Sequence, residues 1–155
     1  MDFMSDALNN GRKIRILNIL DDYNREILAI EASTSIPSVA VVRVLEDLIN
    51  WRGKPKMIRV DNGPEFTSTI FSDWCSGRGI AIIHIQPGKP VQNALIERFN
   101  RTFRNEVLDA YIFNDINQVK EIAQEWMDEY NEERPHESLG SLSPNKFKCT
   151  EQHLI

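Results

Sequence analysis

A chain of 155 residues, 41% apolar and 26% charged, suits one soluble globular domain with a sizeable core and is too short for two of typical size. No apolar run approaches the roughly 18 residues of a membrane span, and the N-terminus lacks the basic and apolar regions of a secretory leader. Cys75 and Cys149 have neither metal-ligand spacing nor a disulfide framework, so a reducing, cytoplasmic setting is expected; the net charge of −5 argues mildly against a nucleic-acid partner without excluding one.

In chain order, residues 1–8 read as a first strand and Asn9-Asn10-Gly11 as a turn. Residues 12–22 alternate and thicken into a central strand, and residues 25–33 supply a third after an Asp22-Tyr23-Asn24 turn, which gives an antiparallel meander. The period then changes. Ser35 or Ser38 is placed to cap a helix running to about Asn50, with Val41, Val42, Leu45, Leu48 and Ile49 recurring at three and four. Residues 55–60 form a fourth strand reached through that helix, which predicts a crossover and parallel pairing. A second helix closed by Gly77 and Gly79 leads to a fifth strand over residues 80–85, so a mixed sheet with helices on both faces is expected.

Residues 86–93, "QPGKPVQN", read as a polar loop. A helix begins near Val91 or Gln92 and continues to about Leu108. A longer one spans Ile116 to Glu133 on an apolar face of Val119, Ile122, Ala123, Trp126, Met127 and Tyr130, and Pro135 ends it. The remainder reads as a turn-rich tail that packs back through Leu139, Leu142 and Phe147, with His153 near its end. Charge is segregated by segment: residues 98–104 hold three arginines and no acid, whereas residues 121–137 hold seven acids against Arg134 alone. The acidic helix is therefore expected to face away from any site that receives an anion.

Asp61 ends the fourth strand just before Asn62-Gly63. That dipeptide is a hairpin signal, yet the same position is where open α/β sheets present chemistry. Asp2 lies in the first strand, and if that strand neighbours the fourth, the two carboxylates face each other roughly 5 Å apart at the backbone, where they repel unless a cation lies between them. The alternative is an exposed terminal aspartate. Glu97 shares a helical face with Arg101 and Arg104, which fits either a solvent ion pair or a third oxygen ligand with arginines beside it to receive phosphate. Asp21 and Asp22 compete as ligands but read better as turn formers; Asp6 lacks a turn to focus it, Glu65 reads as a local partner of the turn or following helix, and His84 as an edge or internal strand residue.

The segments "MDF", "LDDYNRE", "RGKPKMIRVDNGPEF", "IQPGKPVQNALIERFNRTFRNEVLD" and "WMDEYNEERPHESLGSLSPNKF" together resemble the catalytic core of an integrase-type DDE transposase, the second-frame product of a bacterial insertion sequence and kin to retroviral integrases. Asp61 and Glu97 have 35 residues between them, the interval typical of that superfamily. The resemblance implies a ribonuclease-H-like fold with a five-stranded mixed sheet in order 3-2-1-4-5. It also implies Asp2, Asp61 and Glu97 as catalytic metal ligands holding two Mg²⁺ or Mn²⁺ ions in the DNA-bound state. Asn93 matches a position associated with the DNA end, Arg101 and Arg104 match basic positions approaching DNA, and Lys89 in the preceding loop is a further DNA-contact candidate. Arg134, Pro135 and His136 match a characteristic segment, read as a packing or assembly element with DNA contact as the alternative.

The implied activity is DNA strand cleavage and strand transfer in transposition, with transposon ends and target DNA as partners, a homo-oligomeric assembly, a bacterial cytoplasmic location at the nucleoid and no membrane. The chain departs from the family pattern in starting almost on its first catalytic aspartate, without the upstream tryptophan or helix-turn-helix DNA-recognition region, and in having no His/Cys zinc module. Two alternatives follow: a truncated, inactive core acting only in assembly or DNA association, and a ribonuclease-H-like hydrolase of RNA–DNA hybrids.

Overall fold

Apolar alternation organises the first third of the chain in the computed structural model, which describes residues 1–152, the Pro90 side chain excepted; His153 lies outside the described residues. Strand β1 (Asp2–Ala7) pairs antiparallel with β2 (Lys13–Leu20) in a register that sets Asp2 opposite Asn18, and β2 pairs antiparallel with β3 (Ile27–Ser33). Ile14 and Ile16 point to one face of β2 and Leu17 and Ile19 to the other, and all four are buried, as a strand covered on both sides requires. Gly11 takes a φ of 84° in the first turn, which only glycine adopts freely.

Helix α1 (Ser38–Arg52) buries Val41, Leu45 and Leu48. Pro37, not Ser35 or Ser38, holds its N-cap position, and the Ser38 hydroxyl donates instead to the Glu65 carbonyl at 3.0 Å. Strand β4 (Met57–Val60) is followed by α2 (Pro64–Thr67), α3 (Thr69–Gly77) and β5 (Ala81–His84), which pairs parallel with β4. A 3₁₀ turn over Pro90–Asn93 precedes α4 (Ala94–Phe103), so regular helix begins slightly later than the sequence pattern predicts. A π turn (Arg104–Leu108) ends that helix; the wider turn brings Phe103, Val107 and Leu108 all into the core.

Helix α5 (Ile116–Glu133) is capped by Asp115, whose carboxylate accepts from Asn117 N at 2.8 Å and Gln118 N at 3.1 Å. Its inward face is the expected one. The tail is not purely turns: after a 3₁₀ turn (Glu137–Leu139), residues Pro144–Gln152 form α6, with proline in the first helical position after Ser143. Leu139 is buried, and Phe147 packs against Tyr23 with ring centroids 6.0 Å apart.

Two apolar cores result. One lies between the β1-β2-β3 sheet and α4–α5, centred on Ile16, Phe99, Phe103 and Val119; the other lies under α1 and α3, around Leu17, Val60, Phe66 and Phe71. The chain is thus an α/β fold with antiparallel and parallel pairing and helices on both faces. The five strands form a three-stranded antiparallel sheet and a two-stranded parallel sheet, not one continuous ladder. Between β1 and β4 the Met1 ammonium donates to the Arg59 carbonyl at 2.8 Å, and one such bond at the strand's end does not make a ladder.

Candidate active site

Strand alternation turns Asp2 toward α4. Its Oδ2 accepts from Asn100 Nδ2 at 2.8 Å, and Asn100 Oδ1 in turn accepts from Asn18 Nδ2 at 2.8 Å. Asp2 is half-buried, and its carboxyl is pushed above the usual range, mainly by burial and also by the charge of Asp61; the Phe3 backbone N–H, the Met1 ammonium and Asn100 act against this. Asp61 follows Val60, the fully buried last residue of β4.

Asn62-Gly63 does not make a hairpin. Gly63 N donates to Asp61 Oδ1 at 2.8 Å and the chain enters α2 directly. A Cβ at Gly63 would lie 2.9 Å from Asp61 Oδ1, so a side chain here would displace the Asp61 carboxylate from this position, although the φ of −60° is open to any residue. Asn62 Nδ2 donates to the Ile85 carbonyl at 3.0 Å, and His84 Nδ1 lies 3.2 Å from the Asp61 carbonyl oxygen. The turn bearing Asp61 is therefore tied to the end of β5.

Glu97 sits on the exposed side of α4, whose other side buries Ile96, Phe99 and Phe103. Asn100, three residues on, shares its face one turn later. The helix side that reaches Asp2 through Asn100 thus carries Glu97 as well. Even so, no three carboxylate, histidine or cysteine side chains are grouped to hold a metal among the described residues. Asp2 lies near enough to Asp61 to feel its charge.

The pair fits a divalent cation by its chemistry: both are hard oxygen donors, and a cation would offset the burial that mainly raises Asp2 as well as the repulsion from Asp61. The shift also has a consequence for stability. A carboxyl raised in the folded state binds protons more tightly there than when unfolded, so its ionisation costs stability as pH rises through the folded value, and the cost is absent below the unfolded one. Asp2→Asn is expected to raise the melting temperature at pH 7 in metal-free buffer and to leave it unchanged near pH 3. Thermal melts across that range check this, and a lower melting temperature at pH 7 would contradict it.

The remaining candidates are placed as follows. Arg101 and Lys89 are exposed, and Asn93 is half-buried in a small pocket shared with Met1, Leu20 and Arg59. Arg104 is engaged within the fold: Nη2 donates to the Ser5 carbonyl at 2.8 Å, with Asp6 at 3.8 Å and Asp109 at 3.9 Å from Nη1. Asp21 forms its turn by accepting from Tyr23 N at 2.9 Å and also pairs with Arg52 at 2.9 Å, and Asp22 pairs with Arg59 at 2.6 Å. Glu65 is not a local partner of its turn: its carboxylate pairs with Arg15 of β2, which also lies over the Phe3 ring at 4.0 Å.

His136 packs against Tyr130 with ring centroids 5.4 Å apart and bridges to Leu142 through its backbone; burial and the neighbouring Arg134 and Arg25 hold its pKa down. Arg134 pairs with Glu106 and lies over the Tyr130 ring at 5.1 Å. The acids of α5 are solvent-exposed, as their segregation predicts. Burial pushes the Cys75 thiol up to about 11, which leaves it no nucleophilic thiolate at neutral pH. Sequence reasoning missed Asn18 and Asn100. The available signals were a lone polar residue inside "RILNIL" and an amide one turn after Glu97.

Two family models described as "Integrase core domain" match residues 1–90 and 78–144. The chain is 44% identical over 147 residues to an uncharacterized 39.2 kDa protein of insertion element IS476 from Xanthomonas euvesicatoria, across 95% of this chain and 42% of that protein. It is 40% identical over 147 residues to an uncharacterized 31.7 kDa protein of insertion element IS407 from Burkholderia multivorans, across 95% and 53%. The chain thus spans about half the length of these curated relatives. Its fold matches the HTLV-2 integrase catalytic core domain in complex with magnesium with a TM-score of 0.68 at 16% identity, covering 94% of each chain.

Proposed function

Because the chain belongs to the integrase core domain family, we propose that it is the catalytic core of a DDE transposase that cleaves DNA strands and transfers them during transposition. The observation that carries this reading is the hydrogen bond from Asn100, on the helix that bears Glu97, to the half-buried Asp2 carboxylate, which also lies within range of the Asp61 charge. In this reading the three carboxylates hold the cations, and Glu97 joins the other two when DNA is bound. When bound, two Mg²⁺ or Mn²⁺ ions supply activation of a water or a DNA 3′-hydroxyl and charge for the leaving oxygen.

The chain's own residues do the rest. Asp2, half-buried and held by Asn100, keeps a fixed orientation toward Asp61, and the Gly63 N–H orients Asp61. Arg101, one turn after Glu97 on α4, and the exposed Lys89 contact backbone phosphates without reading bases, and Asn93 lies by the DNA end. Arg104 contributes mainly by fastening α4 to β1. The two sheets act as one, in order 3-2-1-4-5; the Met1 to Arg59 bond supports this junction. No helix is long and apolar enough to cross a membrane among the described residues, and the setting proposed is the bacterial cytoplasm, with assembly into a homo-oligomer on transposon ends and target DNA.

The reading is tested by nicking and strand-joining assays on matched double-stranded DNA and RNA–DNA hybrid with Mg²⁺ or Mn²⁺, using the chain alone and joined to the part of a curated relative that it does not span. DNA cleavage and joining are expected. Cleavage of the hybrid's RNA strand alone would assign a hydrolase instead, and DNA association without cleavage an inactive core. Arg101→Ala is expected to weaken DNA binding about equally across sequences and to reduce the slope of log K against log salt by about one. An unchanged slope in filter-binding or anisotropy titrations would remove Arg101 from the phosphate contacts.

A further inference from the structure

Asn18 is fully buried in the middle of β2 among isoleucines and leucines, where an apolar residue would fill the space at lower cost. Only half of its amide is used. Nδ2 donates to Asn100 Oδ1 at 2.8 Å, while Oδ1 is buried without a hydrogen-bond partner. A side chain retained for core structure alone would pair both ends or neither.

The direction of the bonds explains the asymmetry. An ionised Asp2 only accepts, so Asn100 turns Nδ2 toward it and Oδ1 away. That Oδ1 meets Asn18, which then presents Nδ2, and the Asn18 carbonyl is the end left over. Read in the other direction, the Asn18 N–H is what holds the Asn100 amide with its nitrogen on Asp2. Without it the Asn100 amide has no buried partner to prevent rotation. Asn18 stands directly opposite Asp2 in the β1–β2 register, yet its side-chain N–H goes to Asn100 and not to Asp2, so the hydrogen-bonded link from the Asn18 amide to the carboxylate runs through Asn100.

We propose that Asn18 is a positioning residue for the metal site: through Asn100 it fixes the Asp2 carboxylate, with Oδ2 held by an N–H, and sets α4, which carries Glu97, against β1. This rests on the reading of Asp2 as a metal ligand. An exposed amide in the place of Asn100 would orient a carboxylate only weakly, because it would exchange its partner with water; the buried Asn18 removes that freedom.

The test uses Mn²⁺ alone as probe, by calorimetric titration, together with NMR of ¹⁵N-labelled side-chain amides, on the unmodified chain, Asn18→Leu, Asn100→Leu and the double variant. Asn18→Leu is expected to weaken Mn²⁺ binding by about tenfold, the usual scale for a group that orients a ligand. Its melting temperature is expected to be no lower, since the unpartnered carbonyl is gone. The Asn100 side-chain amide, protected from exchange in the unmodified chain, should exchange at a solvent-like rate in Asn18→Leu. The double variant should lose no more Mn²⁺ affinity than Asn100→Leu alone, because the two act as one unit.

Additive losses, or a protected Asn100 amide with Mn²⁺ affinity within about twofold in Asn18→Leu, against the tenfold scale above, would overturn the proposal. An unmodified chain that binds no Mn²⁺ would instead overturn the reading that Asp2 and Asp61 hold a cation before DNA arrives, while the Asn100 exchange rate would still decide whether Asn18 orients Asp2. Should Asn18→Leu fail to fold, Asn18→Ser, whose hydroxyl is too short to reach Asn100, carries the same two readouts and the same expected losses.

Discussion

Glu97→Gln is expected to lower metal-dependent strand nicking about a thousandfold while leaving DNA affinity nearly unchanged. The substitution preserves side-chain shape and removes the charge that a hard cation requires. Glu97 stands exposed on α4 away from the buried face, so its loss should leave folding untouched, and the melting temperature is expected to stay within about a degree or two of the unmodified chain. Single-turnover nicking beside DNA titrations measures both halves of this expectation. An equal loss of binding and nicking would show that Glu97 contacts DNA and does not serve as a ligand.

The second large effect concerns the fold. Asn131 of α5 is buried and forms a matched pair of bonds with the backbone of Ile27: its Oδ1 accepts from Ile27 N at 2.8 Å and its Nδ2 donates to Ile27 O at 2.9 Å. Ile27 begins β3, which has no strand on its outer side among the described residues, so the amide does for these groups what a neighbouring strand would do. Asn131→Ala removes two hydrogen bonds and leaves a buried N–H and C=O unpaired, for an expected loss of about 3 kcal/mol. Chemical denaturation would register it as a lower midpoint with an unchanged slope. A loss below about 1 kcal/mol would mean that water reaches Ile27 and replaces the amide.

Local pattern carried much of the fold into view. The alternation of "KIRILNIL" gave a central strand because both faces are apolar, and the three-and-four spacing after Ser38 and in α5 gave helices with the right inward faces. Asn62-Gly63 shows where local reading gave out: the dipeptide is a hairpin signal by itself, but the Asp61 carboxylate captures Gly63 N, and Pro64 starts a helix. The α6 start was signalled by Ser143-Pro144 and hidden by the polar, turn-like composition around it.

The site was legible to a different degree. The Asp61–Glu97 interval and the arginines after Glu97 are sequence-local, and so are readable. The bond between Asn18 and Asn100 spans 82 positions and that between Arg15 and Glu65 spans 50, and such pairings follow from strand register and helix docking, which no window of sequence contains. Arg104 adds a contact of the same kind: its Nη2 donates to the Ser5 carbonyl, 99 positions away, a pairing that its place on the helix after Glu97 did not reveal.

The metal centre itself decides the reading most directly. A structure of the chain bound to transposon-end DNA with Mn²⁺, with the ions located by anomalous scattering, is predicted to contain two Mn²⁺ ions ligated by Asp2, Asp61 and Glu97 at the scissile phosphate. Mn²⁺ bound elsewhere, or Glu97 apart from Asp2 and Asp61 with DNA in place, would contradict it.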